Sequence, residues 1–493
     1  MPRNHRPRRR LAPAALTAAL TLALAACTRD TYPNSTFHHT TEFNQAIDVL
    51  WDKLLFLGTL VFVLVEGLLI YTVIRFRSRP GQRAPKHVHG NTTLEILWTA
   101  IPAVILLFIA VPTVRTIFRT QAKAVASALQ VEVVGHQWWW EFRYPQYTTR
   151  NARGTLDTLT TANELYLPVG RTVNFALKTA DVIHSFWIPR LGGKRDLVAN
   201  HTNYLWFTVH DSLAADGGTP LNGSCNEYCG ASHANMKFRV FTVSPDDFAA
   251  WTAHQLTPAA FGATPPAAPG AAPGAANRPT TSGGEVALAT AAAVVATPSR
   301  QQQPPGGPAR GATPAPPVRG TQQDVPQPGT GETRDNPLGA AAAGQTGART
   351  PAQPSAYAFP RERLQKYNVP NTPLPAGIAF NDALKGDPAR GQTAFLIGGC
   401  VGCHAIAGNP VAMGRIGPNL THIGSRYTIA GAQYPNDPRH MARWIKNSRL
   451  MKPGSVMPTL GKGQIDPTTK QRAPGGLDDQ QIADVVAYLQ SLK

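Results

Sequence analysis

The chain has 493 residues and a formal net charge of +18, with 44 prolines, 43 glycines and five cysteines. So much proline and glycine excludes a single compact domain and indicates two or three domains with a long unstructured segment. The charge does not indicate nucleic-acid binding, because ten basic residues lie in two short stretches that contain no acid. These residues are Arg3, Arg6, Arg8, Arg9 and Arg10 in the first stretch, and Arg75, Arg77, Arg79, Arg83 and Lys86 in the second.

Residues 1–26 begin with the first basic stretch and continue as an apolar run that ends in small residues. This order is typical of a secretory signal peptide. The final Leu-Ala-Ala-Cys resembles a bacterial lipobox, so we predict a lipoprotein-type signal in which Cys27 is lipidated. Ordinary cleavage nearby and retention as an uncleaved anchor are the alternatives.

Residues 27–125 contain two apolar runs, at about 54–74 and 96–114, each long enough to cross a bilayer. The loop between them is the second basic stretch, which the positive-inside rule places in the cytoplasm. The sequence therefore predicts a two-helix transmembrane hairpin, with both termini and all later domains on the outer, periplasmic side.

Three regions follow the hairpin. Residues 126–255 contain short β-rich runs separated by turn residues, as in a small all-β sandwich or barrel. Residues 256–375 are rich in Ala, Pro, Gly, Thr and Gln and are predicted to be a disordered linker. Residues 376–493 are predicted to form an all-α domain, because Asp387 and Pro388 give a helix start and 477–492 is amphipathic.

Soft metal ligands are concentrated in the sequence CNEYCGASHANM. Cys225 and Cys229 lie four residues apart, His233 follows four residues later, and Met236 three residues after that. Thiolate, imidazole and thioether together favour copper. A disulfide is possible in an exported domain but leaves His233 and Met236 unexplained, and methionine is a poor zinc ligand.

A further ligand must come from outside this loop, and His184, at the end of an apolar β-run, is the best candidate. Two histidines, two cysteines and one methionine exceed what one copper of the blue type needs. The surplus indicates two copper ions that share the thiolates.

A second cofactor is predicted in the last domain. Cys400, Cys403 and His404 form the C-x-x-C-H signature of covalent c-type haem, in which the histidine ligates the iron. The alternatives are a thioredoxin-like redox pair, which lacks its strand context here, and half of a zinc site, which lacks its second ligand pair.

The sixth iron ligand is predicted to be Met457, which lies on a loop stiffened by prolines. Met451 is the second choice, Met413 is too close to His404, and Met441 lies in a helix-like stretch where a core role is expected. Methionine–histidine ligation raises the haem potential and favours electron transfer over gas binding.

The order of these features resembles subunit II of the haem–copper cytochrome c oxidases, followed by a class I bacterial cytochrome c. The resemblance rests on the hairpin, on HGNTTLEILWT, GHQWWWEF, DVIHSF and CNEYCGASHANM, and on the haem signature. It implies a cupredoxin fold that holds the binuclear copper A centre. The ligands would be His184, Cys225, Cys229, His233, Met236 and the backbone carbonyl of Glu227.

The resemblance also implies roles for three other groups. The Glu227 carboxylate would face a magnesium or manganese site shared with subunit I. Trp138 would be the tryptophan through which electrons reach the copper, and Glu95 would lie near the cytoplasmic entrance of a proton channel.

As implied by the resemblance, electrons would pass from an external donor, such as a cytochrome c or a cytochrome bc complex, to the haem, to copper A and to subunit I. Dioxygen would be reduced there, coupled to proton translocation, in a bacterial cytoplasmic membrane whose lipid surrounds the hairpin. Subunit III is a further expected partner. The alternatives are a membrane-anchored copper-delivery protein, a quinol oxidase subunit, and the copper A subunit of another respiratory reductase.

Overall fold

We describe the protein from a computed structural model, which covers residues 34–37, 40–77, 81, 89–121, 127–150, 154–210, 220–259, 372–473 and 476–493. The predicted signal peptide, Cys27, most of the basic loop and most of the predicted linker lie outside the described residues.

Two helices are long and apolar enough to span a membrane, α1 (Glu42–Arg75) and α2 (Thr92–Gln121). Both extend beyond the predicted spans of 54–74 and 96–114. Phe43, in the first turn of α1, packs into the core of the β region. The Thr41 side chain caps this helix by accepting a hydrogen bond from the Asn44 N–H at 3.1 Å, so α1 starts on the β region and continues as the candidate span.

Among the described residues that follow, ten strands form two five-stranded sheets. Their order is β3-β2-β1-β5-β8 in the first sheet and β4-β10-β9-β6-β7 in the second. The strands are β1 (Leu129–His136), β2 (Trp139–Arg150), β3 (Leu156–Ala162), β4 (Glu164–Pro168), β5 (Thr172–Thr179), β6 (His184–Trp187), β7 (Arg195–Leu197), β8 (Asn203–Thr208), β9 (Pro220–Cys225) and β10 (Lys237–Val243). We call this region the β domain, and it confirms the predicted all-β, cupredoxin-like class.

Buried and partly exposed residues alternate along the strands, and the buried side chains fill the space between the two sheets. In β2, Trp140, Phe142 and Tyr144 are fully buried while the residues between them are partly exposed. The Phe186 and Phe238 rings stack at 5.0 Å between centroids. Because these strands are held by a rigid aromatic core, the loops at their ends are held in place as well.

Helix α3 (Pro245–Gln255) closes the β domain, and its Trp251 ring stacks on Tyr166 at 4.5 Å. The Ser244 side chain accepts a hydrogen bond from the Asp247 N–H at 3.1 Å and caps the helix.

The carboxyl-terminal region, which we call the haem domain, contains four α-helices among the described residues. They are α4 (Pro388–Ile397), α5 (Pro438–Lys446), α6 (Ser448–Met451) and α7 (Asp479–Ser491), with a short β-ladder of β11 (Thr428–Ile429) and β12 (Tyr434–Pro435). The predicted start at Pro388 is confirmed, since Asp387 accepts a hydrogen bond from the Arg390 N–H at 2.8 Å.

The terminal helices of the haem domain cross in close contact. A Cβ added to Gly391 in α4 would collide with the backbone of Asp484 in α7, so only glycine permits this approach. The apolar face of α7 is buried as predicted, at Ile482, Val485, Val486, Leu489 and Leu492. This crossing builds one wall of the cavity described below.

Candidate metal and haem centres

The two cysteines of the soft-ligand loop face each other inside the β domain. Cys225 is the last residue of β9, Cys229 lies in the loop that follows, and both are buried and free. Their Sγ atoms are 3.9 Å apart, whereas a disulfide requires about 2.05 Å. Their hydrogen bond lowers the pKa of Cys225, so one thiol of the pair is readily deprotonated. This arrangement favours the metal-ligand interpretation over the disulfide.

One histidine lies beside each sulfur. His184 begins β6, which pairs with β9 so that Phe186 is opposite Cys225. The His184 Nδ1 atom is therefore 3.8 Å from the Cys225 Sγ. On the other side, the His233 Nδ1 atom is 3.6 Å from the Cys229 Sγ. The sheet thus brings the distant histidine, which the sequence identified only as the best candidate, to the loop.

Two further donors complete the cluster. The fully buried Met236 places its Sδ atom 3.3 Å from the Cys229 Sγ. The backbone carbonyl of Glu227 lies 3.2 Å from the Cys225 Sγ. Two thiolates, two imidazoles, one thioether and one carbonyl form a soft donor set that fits copper.

Asp181 holds His184 in this orientation. Its Oδ1 atom lies 2.8 Å from the His184 Nε2, which leaves Nδ1 facing Cys225. Burial alone would raise the pKa of Asp181, but the hydrogen bond with His184 and those from the N–H groups of Gln137 and Val182 lower it. The carboxylate is therefore charged and fixes the imidazole, as outer-shell acids do at metal sites.

Trp138 is linked directly to one of the thiol ligands. Its Nε1–H donates to the carbonyl of Cys229 at 2.9 Å, and the Gln137 side chain donates to the same oxygen at 2.7 Å. The neighbouring Trp139 stacks on His136, while Trp140 is buried in the core. Trp138 and Trp140 thus each contact the cluster through a copper-ligand candidate, since the Trp140 Nε1–H donates to the Met236 carbonyl at 3.2 Å.

Sequence reasoning missed Asp181 and Gln137. Asp181 stands three residues before His184, and Gln137 stands next to Trp138. Asp181 could have been found from the sequence, because metal-binding histidines regularly contact a carboxylate and this acid lies three residues from a predicted histidine ligand.

The haem domain contains a cavity of about 530 Å³. Its wall includes Cys400, Cys403 and His404, the three residues of the predicted attachment signature. Apolar side chains form much of the rest, including Phe395, Trp444, Leu460, Val485 and Leu489. A large apolar cavity with a few placed polar groups is typical of a cofactor site, and this donor set fits covalent haem.

His404 is held in a defined orientation at this cavity. Its Nδ1 atom lies 2.8 Å from the carbonyl oxygen of Pro418, so Nδ1 carries the proton and donates it. Nε2 is then the ring nitrogen left for iron. Burial lowers the pKa of His404, although the Pro418 carbonyl opposes this effect. The imidazole is therefore neutral, which is the form that ligates metal.

Of the methionines in the haem domain, the cavity wall contains Met457 and Met441. Met441 belongs to α5 and is also part of the apolar core. The described cavity wall does not include Met451, whose carbonyl accepts a hydrogen bond from the Tyr434 hydroxyl at 3.0 Å. It does not include Met413, which forms a β-bridge with Ala405. These positions support Met457 as the sixth ligand.

The cavity and the copper-ligand cluster meet at Trp138. Gln137, Trp138 and Trp139 from the β domain line the same cavity as the haem signature. A Cβ added to Gly454 would lie 2.6 Å from the Trp138 ring, so the loop at Gly454 packs closely on the indole. Trp138 therefore lies between the two candidate centres.

Two of the predicted site residues have exposed side chains. Glu95 lies in the first turn of α2 with its side chain exposed. Glu227 exposes its side chain while its carbonyl faces Cys225.

Three family models match the chain. They describe the transmembrane domain of cytochrome c oxidase subunit II at residues 36–116, its periplasmic domain at 129–243, and cytochrome c at 388–493. Among similar curated proteins, cytochrome c oxidase subunit 2 of Alkalihalophilus pseudofirmus is 26% identical over 88% of this chain and 83% of that protein. The Bacillus subtilis protein of the same name is 37% identical over 40% of this chain and 56% of that protein. A probable cytochrome c oxidase subunit 2 from Rickettsia bellii is 35% identical over 43% of this chain and 80% of that protein.

Proposed function

Because the chain belongs to the cytochrome c oxidase subunit II family, we propose that its haem domain receives electrons and its β domain delivers them to subunit I. The protein is part of a haem–copper oxidase, an oxidoreductase, and it carries a fused cytochrome c domain. Subunit I and an electron donor are its implied partners, and it is membrane-anchored with the β domain on the outer side.

The observation that carries this proposal is the convergence of six soft or carbonyl donors around Cys225 and Cys229, at 3.2 to 3.9 Å. We propose that Cys225 and Cys229 bridge two copper ions, with His184 and His233 as terminal ligands. Met236 and the Glu227 carbonyl would complete the set. When bound, copper A and haem c supply one-electron carriers that change charge without bond rearrangement.

The residues of the chain hold these groups and exclude water. Met236 and His184 are fully buried, so these two proposed ligands are shielded from solvent. Asp181 keeps His184 in one orientation, and the Pro418 carbonyl does the same for His404. A rigid, dry ligand set lowers the reorganisation that accompanies each electron transfer.

Trp138 is proposed to connect the two centres. Its indole lines the haem cavity and its Nε1–H donates to the carbonyl of Cys229. The Trp138 indole and its hydrogen bond therefore lie between the haem cavity and Cys229, a proposed bridging ligand.

The remaining assignments extend the proposal to the complex. The exposed Glu227 carboxylate would bind magnesium or manganese at the boundary with subunit I, and Glu95 would lie near a cytoplasmic proton-channel entrance. Lipidation of Cys27, subunit III and the surrounding bilayer lipid belong to the same proposal. The proposal also places the protein in a bacterial cytoplasmic membrane, with both of its termini on the outer side.

Metal and haem analysis of the purified full-length chain tests this function. We expect two copper ions and one covalent haem per chain. Cys225→Ser is expected to lose the copper while it keeps the haem, which makes it the matched control for specific loading. One zinc ion and no haem would contradict the proposal, and a single copper would contradict the binuclear centre.

A further inference from the structure

A buried carboxylate joins the β domain to the haem domain. Glu164 begins β4 and is only 4% exposed. Its Oε1 atom accepts hydrogen bonds from the N–H groups of Tyr427 at 2.7 Å and Thr428 at 3.2 Å. Charge-assisted hydrogen bonds from backbone N–H groups are strong and directional. Here the acceptor belongs to one domain and both donors belong to the other.

The same carboxylate balances one cation from each domain. Arg239 lies opposite Glu164 in the β4–β10 ladder, and Arg426 immediately precedes Tyr427. Burial lowers the pKa of each guanidinium to about 10, and the negative charge of Glu164 opposes that shift. Loss of Glu164 would therefore remove a counter-charge from two buried arginines, which is unfavourable.

Apolar contacts surround this group. The Tyr427 side chain is buried in the core cluster of the β domain, with its ring centroid 5.0 Å from that of Phe241. Phe241 stacks in turn on Tyr166 at 4.7 Å. Along the same edge, the Lys237 N–H donates to the Gly431 carbonyl at 3.1 Å. The segment from Tyr427 to Gly431 is thus bound to the β domain by packing and by directed hydrogen bonds.

Other contacts between the two domains place the haem cavity against Trp138. Lys452 donates from its Nζ to the backbone carbonyl of Trp138. Gly454, two residues later, packs on the indole. A shift of the haem domain on the β domain would separate Trp138 from the cavity that it lines.

We propose that Glu164 is a positioning residue that fixes the haem domain against Trp138, so that the two domains act as one docked unit. The inference rests on the proposed function, since it concerns how electrons cross between the domains. A linker of about 100 residues alone would let the domain range over about 50–60 Å. The Glu164 contact instead holds the haem domain in one position on the β domain.

The test uses the full-length, metal-loaded oxidase in detergent with a protease site inserted between residues 300 and 310. After cleavage, only contacts between the domains retain the haem fragment. Size-exclusion chromatography with haem absorbance then measures the bound fraction on serial dilution. The measurement is made at pH 8, because burial raises the pKa of Glu164 to about 7 and the group is ionised above that value. We expect Glu164→Ala to weaken retention by about tenfold or more, because the hydrogen bonds from Tyr427 and Thr428 to a charged group are lost.

Two variants separate positioning from a general loss of structure. Glu164→Gln keeps an oxygen that can accept both N–H groups but removes the counter-charge to Arg239 and Arg426, so its retention is expected to lie between that of wild type and that of Glu164→Ala. Asp157→Ala is the matched control, since Asp157 lies 4.0 Å from Arg415 across the same contact but its side chain is 43% exposed. Exposed pairs contribute little, so we expect at most about a twofold change.

Equal retention in Glu164→Ala and Asp157→Ala would overturn the inference, as would equal loss in Glu164→Gln and Glu164→Ala. Hydrogen exchange of the uncut wild-type protein tests the contact even if the alanine variant does not fold. The amides of Tyr427 and Thr428 should be as protected as those of β10, and rapid exchange would overturn the inference. Copper and haem content, measured on every sample, reports separately on the proposed function.

Discussion

Gly417 supports the haem histidine at a distance that leaves no room for a side chain. A Cβ added there would lie 2.4 Å from the His404 Cε1 and 2.8 Å from its Nδ1, whereas ordinary contact begins at 3.4 Å. In Gly417→Ala the imidazole ring would have to move by about 1 Å, and the ring nitrogen Nδ1 would move with it. This nitrogen donates to the Pro418 carbonyl at 2.8 Å, so the substitution disturbs the bond that orients the imidazole.

The expected destabilisation follows from two contributions. Overpacking of a tight site costs about 1–3 kcal/mol, and a weakened hydrogen bond adds about 0.5–1.5 kcal/mol. A loss of about 2–4 kcal/mol would lower the urea midpoint of the haem domain by about 1–2 M, for a typical dependence on denaturant. Haem absorbance in the full-length protein follows this transition, and the band from methionine–histidine ligation should weaken before unfolding.

Gly402→Ala is the matched control, because a Cβ at Gly402 would meet nothing within 4 Å although it lies between the two attachment cysteines. We expect its midpoint and spectrum to remain close to those of wild type. If Gly417→Ala were equally stable and spectrally unchanged, the close contact with His404 would not constrain the ring, and our explanation for glycine at this position would be wrong.

Three further predictions concern the ligands and their support. Met236→Leu should shift the reduction potential of the copper centre while copper stays bound, and an unchanged redox titration would remove Met236 from the ligand set. Asp181→Asn should weaken copper binding by about 10–100-fold, measured as copper retention against a chelator; undiminished retention would show that His184 does not depend on this carboxylate. Met457→His should lower the haem potential and abolish the methionine–ferric haem absorption band. The same change at Met451, outside the described cavity wall, should leave the band intact. If Met451→His abolished the band and Met457→His left it intact, Met451 would be the sixth ligand.

The proposed copper ligands could be identified from the sequence where they are close together in the chain. Cys225, Cys229, His233 and Met236 lie within twelve residues, so their spacing alone indicated a soft metal site. His184 is 41 residues from Cys225, and sequence reasoning proposed it only as the best histidine in the same domain. Pairing of β6 with β9 brings the two together, and strand pairing depends on the whole sheet.

The choice among the methionines shows the same limit. Proline-stiffened loops favoured Met457 over Met451, but residues six apart in one segment face different surroundings once the chain folds. The Met457 side chain lines the cavity, whereas Met451 packs in the apolar core of the haem domain. Sequence spacing restricted the choice of a sixth ligand to a few methionines. Packing then distinguished Met457, which lines the cavity, from Met451, which packs in the core.

The sequence by itself determined the order of the domains, the chemistry of both sites and most of their ligands, because short motifs bring those residues together locally. Tertiary structure decided how the sites are supported and joined. Asp181 orients His184 across a turn, and Glu164 receives N–H groups from residues more than 260 positions away. The Glu164 contact is set by long-range packing between the β domain and the haem domain, which leaves no periodic or short-range pattern in the chain.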